Sequence, residues 1–211
     1  MTEYANEPIR GLPGLLPPGE RIIWQGSPDW RMLARTAFHT RLVAGYFVVL
    51  SAIAAGFSLT GSGYTGVVMT FTLGVVGVAL LHLLAWGSAR TTIYTLTNRR
   101  IVLRIGMAVP KCINLPLVTI GSVDLAARDG GTGDVPLTLT GTPTIGYLAL
   151  WPHAQPYRIN RPRPMLRSVP DATAVAALIA RTCLAVNPAG LTVVPETAHP
   201  SMPSFLGAQA A

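Results

Sequence analysis

Charged residues are spaced so unevenly along this chain that the spacing alone divides it. Between Arg41 and Arg90 lie 48 residues without one charged side chain. A soluble amphipathic helix keeps charges on its wet face. In hydrocarbon, by contrast, an Arg or Asp at a helix centre costs roughly 2.5–3.5 kcal/mol. The run therefore reads as membrane-embedded. About 20 apolar residues cross a bilayer once, so 48 residues suit two crossings. Gly61-Ser62-Gly63-Tyr64-Thr65-Gly66 is a turn-forming cluster that splits the run into residues 42–60 and 67–89. The pattern predicts a transmembrane helical hairpin at 42–89, preceded by an N-terminal arm at 1–41.

After Thr91 the period changes. Thr91-Thr92-Ile93-Tyr94-Thr95-Leu96-Thr97 is rich in β-branched and aromatic residues. Asn98-Arg99-Arg100 makes a polar turn, and Ile101-Val102-Leu103-Arg104-Ile105 returns as a second strand. Further strands are predicted at 113–120, 123–127, 136–140, 147–151 and 157–159, with 129–134 as a loop. Seven short strands at regular spacing indicate a small barrel or sandwich. One helix, Ala172–Val186, begins after Pro170-Asp171 and stops at Asn187-Pro188, with Val175, Leu178, Ile179 and Cys183 on its apolar side. The fold class is thus an α+β membrane protein, the soluble domain occupying 90–186. The Pro/Ala-rich remainder, 187–211, is expected to be disordered.

Composition agrees with a membrane protein: half the residues are hydrophobic and 12% are charged, with a mean hydropathy of +0.43. No signal peptide is expected, because the apolar run starts too late and is too long. Arg31, Arg35 and Arg41 precede the hairpin, and Arg90, Arg99 and Arg100 follow it, whereas its turn carries no Lys or Arg. The positive-inside rule then puts both termini in the cytoplasm. Cys112 and Cys183 would sit in a reducing compartment as buried thiols, and neither has a partner at metal-ligand spacing.

Two stretches carry a resemblance. Tyr94-Thr95-Leu96-Thr97-Asn98-Arg99-Arg100-Ile101-Val102, with Asn114-Leu115-Pro116-Leu117-Val118-Thr119-Ile120 downstream, resembles the strands of bacterial pleckstrin-homology-like (PH-like) domains, which implies a seven-stranded PH-like barrel capped by the C-terminal helix. Ahead of the hairpin stand Gly11-Leu12-Pro13, Leu16-Pro17-Pro18-Gly19-Glu20, Trp24-Gln25-Gly26-Ser27-Pro28-Asp29-Trp30 and Ala37-Phe38-His39-Thr40-Arg41. Joined to the hairpin and the β-domain, these resemble the PuhB family of photosynthetic-complex assembly proteins from purple bacteria. That resemblance implies a non-enzymatic inner-membrane factor that helps assemble the reaction centre with its core light-harvesting antenna. It transfers no catalytic residues. Reaction-centre and core antenna subunits, membrane lipids and a second copy of the chain are the partners it leaves open.

The residues themselves offer further candidates. Residues 90–186 hold 11 basic side chains against four acids, an excess equal to the chain's +7. Arg158, Arg161, Arg163 and Arg167 form the densest group. Beside a membrane they would attract anionic headgroups, at about 1 kcal/mol per basic residue; otherwise they form a solvated basic face. A membrane-anchored module for anionic lipid is accordingly the alternative function. Nucleic-acid binding lacks a recognition motif. His82 lies within the second span. Neutral imidazole there suits the magnesium of a bacteriochlorophyll, or simply a hydrogen bond to a backbone carbonyl or the partner helix. Ser51, Ala52, Ala55 and Gly56 are small enough for another helix to approach closely, as are Gly74 and Gly77. Trp24 and Trp30 suit a membrane interface or a protein contact. With no nucleophile elbow, phosphate loop or metal cluster, an enzyme is not expected.

Overall fold

The computed structural model describes residues 9–107, 109–141, 145–156, 160 and 162–188. The predicted strand at 157–159 and the tail from 189 lie outside them. The chain runs β1 (Ile22–Gly26), α1 (Trp30–Thr36), α2 (Thr40–Phe57), α3 (Thr65–Thr91), β2 (Ile93–Thr97), β3 (Arg100–Ile105) and β4 (Lys111–Pro116). It continues with β5 (Ile120–Val123), β6 (Ala126–Ala127), β7 (Gly133–Leu139), α4 (Tyr147–Leu150), β8 (Met165–Val169) and α5 (Ala172–Val186).

α2 and α3 are the two halves of the charge-free run. At 1.5 Å per residue the 18 residues of α2 and the 27 of α3 span about 27 and 40 Å. Both are long and apolar enough to cross a membrane, and only 6% of each apolar window is buried inside the protein. A core helix of a soluble protein would be mostly covered. Gly74 brings the pair together: a Cβ there would stand 2.7 Å from the Phe47 Cβ. The turn between them uses Gly61 and Gly63 at positive φ, where a side chain would be strained.

The β-domain is open rather than closed. One antiparallel sheet runs β1-β2-β3-β4, and a second is built on β7, which pairs with β5, β6 and β8. Among the described residues no strand pairing joins the two. Of the two expected forms, barrel or sandwich, the closed barrel is not formed: two open sheets share one core, and α5 packs on β5 and β7. Tyr94, Leu96, Leu103 and Leu115 meet Ile120, Leu137 and Leu166 in one core, which α5 closes with Val175, Ile179 and Cys183. Helix α5 matches the predicted bounds. The predicted strand at 147–151 is instead the short helix α4. Its Tyr-Leu-Ala-Leu run is apolar in either state, and so short a run carries no decisive period. Strand β8 was not expected.

The arm is woven into the domain. β1 pairs antiparallel with β2, Gly26 opposite Tyr94 and Gln25 opposite Thr95. Gln25 Nε2 donates to Thr95 Oγ1 at 2.9 Å and to the Arg10 carbonyl at 2.7 Å. At the far end of the strand pair, Glu20 is buried. Its Oε1 accepts from Arg100 Nε and Thr97 Oγ1, both at 2.8 Å, and its Oε2 from Arg100 Nη2 at 3.1 Å. Asn98 adds two bonds, accepting from the Arg21 N–H and donating to the Gly19 carbonyl. Thus the Pro-Gly-Glu motif of the arm docks on the Asn-Arg-Arg turn, 80 residues later in the chain. Burial pushes the Glu20 carboxyl up, but the bonds from Arg100 and Thr97 outweigh it and hold the group below its usual value.

A depressed carboxylate stabilises the fold above its unfolded value, near 4.5, and that contribution is lost as pH falls below it. Glu20→Gln should lower unfolding free energy at pH 7 by about 1–3 kcal/mol. It should also flatten the melting-temperature profile below pH 4.5, as measured on detergent-solubilised protein.

Candidate functional site

Where the hairpin meets the β-domain, polar side chains converge in the interior. Thr92 links α3 to β2, and Tyr94 stands two residues on. Their side chains point to His153, which succeeds Pro152 in the loop after α4. Thr92 Oγ1 lies 3.1 Å from His153 Nε2, and Tyr94 Oη 2.7 Å from Nδ1. Tyr94 Oη also accepts the Arg167 backbone N–H at 3.0 Å. The Arg167 side chain, from β8, donates Nη1 to the Pro152 carbonyl and Nη2 to the Thr36 carbonyl, each at 2.8 Å. Next to it, Asp134 of β7 accepts the Ser168 N–H on Oδ1 at 2.8 Å and Arg128 Nε and Nη2 on Oδ2. The Ser168 carbonyl in turn accepts the Asp29 N–H at 2.7 Å, and Asp29 Oδ1 caps α1 by accepting from Arg31 and Met32 N–H groups.

Burial and hydrogen bonding make this group a joint between the helices and the two sheets. His153 is fully buried, and burial together with the Arg167 charge pushes its pKa down to about 3. The ring is therefore held neutral at physiological pH and wholly buried. Burial pushes the Tyr94 hydroxyl up and the Arg167 guanidinium down, Asp134 partly offsetting the latter. Among the described residues no group of three or more His, Cys, Asp or Glu comes together to hold a metal ion. The joint fixes α1 and the start of β2 against β7 and β8.

The residues singled out in the sequence fall in different places. Arg167 is corrected from a lipid-facing residue to a buried one, 7% exposed, because its guanidinium satisfies two backbone carbonyls. Asp134 is likewise corrected from a loop position to the buried anchor of β7. Arg163 stands 3.7 Å from Asp124; Arg158 and Arg161 lie outside the described residues. Trp24 packs on the β-domain core and lines a cleft with Val175 and Leu178 of α5. Trp30 opens α1 with the Arg31 guanidinium 5.4 Å from its ring centroid. His82 Nδ1 donates to the Val78 carbonyl at 2.8 Å, within its own helix. Ser51 lines the groove between α2 and α3, whereas Ala52, Ala55 and Gly56 face outward. Cys183 is buried in the core, which pushes its thiol up to about 11; Cys112 is half-exposed on β4.

A second grouping was missed in the sequence. β2 leaves α3 after one residue, so the β3–β4 turn lies beside the last turns of α3 and the β2–β3 turn at the opposite end. In that turn Met107 and Val109 are exposed, and Met107 Sδ would touch a Cβ placed on Gly87 of α3. Trp86, one residue earlier, has Arg90 stacked 5.0 Å from its ring centroid. On the other side, Trp151 meets Phe38 edge to face at 5.7 Å, just before α2 begins, and exposed Leu148 sits three residues before Trp151. Apolar side chains thus ring both helix ends. Met107 and Val109 in a Gly/Pro-rich turn were the available signal.

His153 titrates below its unfolded value, so its contribution is complete above pH 6.5 and declines as pH falls from there toward 3. Between pH 7 and 5, above the Glu20 window, the melting temperature should fall, and His153→Gln should show a shallower slope. Tyr94→Phe should cost about 1–3 kcal/mol by leaving the Arg167 N–H and the imidazole without their shared partner.

Residues 40–182 match the bacterial PH domain family. The chain is also 35% identical over 189 residues, covering 87% of its length, to a Rhodobacter capsulatus protein described as an uncharacterized 23.7 kDa protein in the puhA 5′ region; 88% of that protein is covered. No solved structure matches significantly. The resemblance to PuhB-like proteins therefore extends through the arm, the hairpin and the β-domain. This chain belongs to the bacterial PH domain family, among its PuhB-like members.

Proposed function

We propose that this protein is an inner-membrane assembly factor for the photosynthetic reaction centre and its core light-harvesting antenna, acting by contact rather than catalysis. The observation that carries this reading is the match over 87% of the chain to the puhA-region protein, joined to a hairpin whose apolar faces are almost wholly uncovered. Uncovered apolar helices of this length are stable in hydrocarbon, and the flanking arginines favour both termini in the cytoplasm. The outward row of Ala52, Ala55 and Gly56 offers newly inserted subunit helices a surface of close approach. In this reading the β-domain holds the hairpin at a fixed depth, with Met107, Val109, Leu148 and Trp151 in the headgroup layer. The anionic-lipid alternative in its first form loses support, since Arg167 is buried and Arg163 is paired with Asp124.

Deletion of the gene should lower assembled reaction centre and core antenna while pigment synthesis continues, read from membrane absorbance spectra. Normal complex levels in the deletion strain would refute the assembly role. Depth is tested separately with two exposed valines at opposite ends of the domain. An environment-sensitive dye on Val109→Cys should shift blue in lipid nanodiscs, and the same dye on Val118→Cys should not. Equal spectra would remove the bilayer placement.

A further inference from the structure

Arginine side chains gather where α2 begins, around a cavity of about 390 Å³. Met32, Arg35 and Thr36 of α1 line it with Arg41 in the first turn of α2, and Ala127 and Arg128 close it from the β-domain. Three separate parts of the chain therefore bring guanidinium groups to one hollow. A fourth, Arg167, lies behind it with Nη2 on the Thr36 carbonyl. The one carboxylate joined to this group among the described residues is Asp134, and it is already occupied. Its Oδ2 takes Arg128 Nε and Nη2, and its Oδ1 takes the Ser168 N–H. Neither Arg35 nor Arg41 has a carboxylate partner among the described residues. Arg35 and Arg41, without a carboxylate partner among the described residues, leave positive charge at the hollow that an anion there would neutralise.

The chemistry of the lining selects the kind of anion. Guanidinium forks match the paired oxygens of a phosphate and bind them at two points. A volume of this size holds a phosphodiester with part of its glycerol, beside the apolar flanks of Met32 and Ala127. Arg41 stands at the first turn of α2, directly before the apolar run, so a membrane-spanning α2 sets the cavity at headgroup depth. Basic pockets at the cytoplasmic ends of spans are suited to anionic headgroups. We propose that this cavity binds a phosphate anion, presented in the membrane by an anionic phospholipid such as phosphatidylglycerol. The lipid source rests on the bilayer placement proposed above; the phosphate chemistry does not.

The test uses the full chain in neutral detergent, titrated with dioleoylphosphatidylglycerol, dioleoylphosphatidylcholine or inorganic phosphate and followed by native mass spectrometry. Phosphatidylglycerol should bind at least tenfold tighter than phosphatidylcholine. The double variant Arg35→Gln/Arg41→Gln should weaken it at least tenfold. Arg35→Lys/Arg41→Lys, which keeps the charge, should retain part of the affinity, and Arg181→Gln, outside the cavity, all of it. Inorganic phosphate that binds alone and displaces phosphatidylglycerol supports the anion site and makes free phosphate a source. Equal binding of both lipids with no phosphate binding overturns the proposal, as does phosphatidylglycerol binding that ignores the double glutamine variant. Circular dichroism on each variant separates loss of binding from loss of fold. Extraction of the native protein by alkaline carbonate would instead defeat the bilayer placement, leaving the phosphate result to stand by itself.

Discussion

The pairing of β1 with β2 is the constraint on which the rest of this molecule depends. β1 ends three residues before α1, and β2 starts one residue after α3 leaves off. Pairing Gly26 with Tyr94 therefore fastens both domain-side ends of the hairpin at one place in one sheet. A hairpin tethered by a single flexible linker could tilt independently of its domain. Here the two chain directions enter and leave through adjacent strands, and α1 packs on α3 between them. Backbone hydrogen bonds supply the fastening, and the buried Glu20–Arg100 pair secures its far end.

Tyr94 carries the constraint further inward. Its backbone belongs to the β1–β2 ladder, while its hydroxyl belongs to the group formed by His153 and Arg167. Arg167 then reaches the Thr36 carbonyl at the end of α1. Each buried polar atom in this chain of contacts has lost water, so removing one partner leaves another unsatisfied. The group thus sets a single orientation of the β-domain on the hairpin, beside the helix ends where Met107, Val109, Leu148 and Trp151 are exposed.

Much of this was legible one segment at a time. The hairpin and its glycine turn came from the missing charges, because no other stretch could hide 48 uncharged residues. Helix α5 came from its start and stop residues and its apolar face. The second sheet was less legible. Tyr147-Leu148-Ala149-Leu150 reads equally as strand or helix at that length. Met165-Leu166-Arg167-Ser168-Val169 places Arg167 at a position that looks exposed by residue type. Only the carbonyls of Pro152 and Thr36, which come from elsewhere in the chain, make it a buried residue.

The sequence by itself determined the membrane-length hairpin, the α+β class of the domain attached to it and the kinship with PH-like and PuhB-like proteins. Those properties live in local composition and period, which a single stretch of chain carries whole. Tertiary structure decided that the arm is a strand of the domain, that Arg167 and Asp134 are buried anchors, and that Arg35, Arg41 and Arg128 share a cavity. Such facts depend on partners outside the local stretch, 34 residues away for Asp134 and Ser168, 70 for Gln25 and Thr95 and 131 for Thr36 and Arg167. No local pattern encodes which distant carbonyl or carboxylate will satisfy a buried charge. Folding supplies that partner, and with it the difference between an arginine facing the membrane and one that holds the protein together.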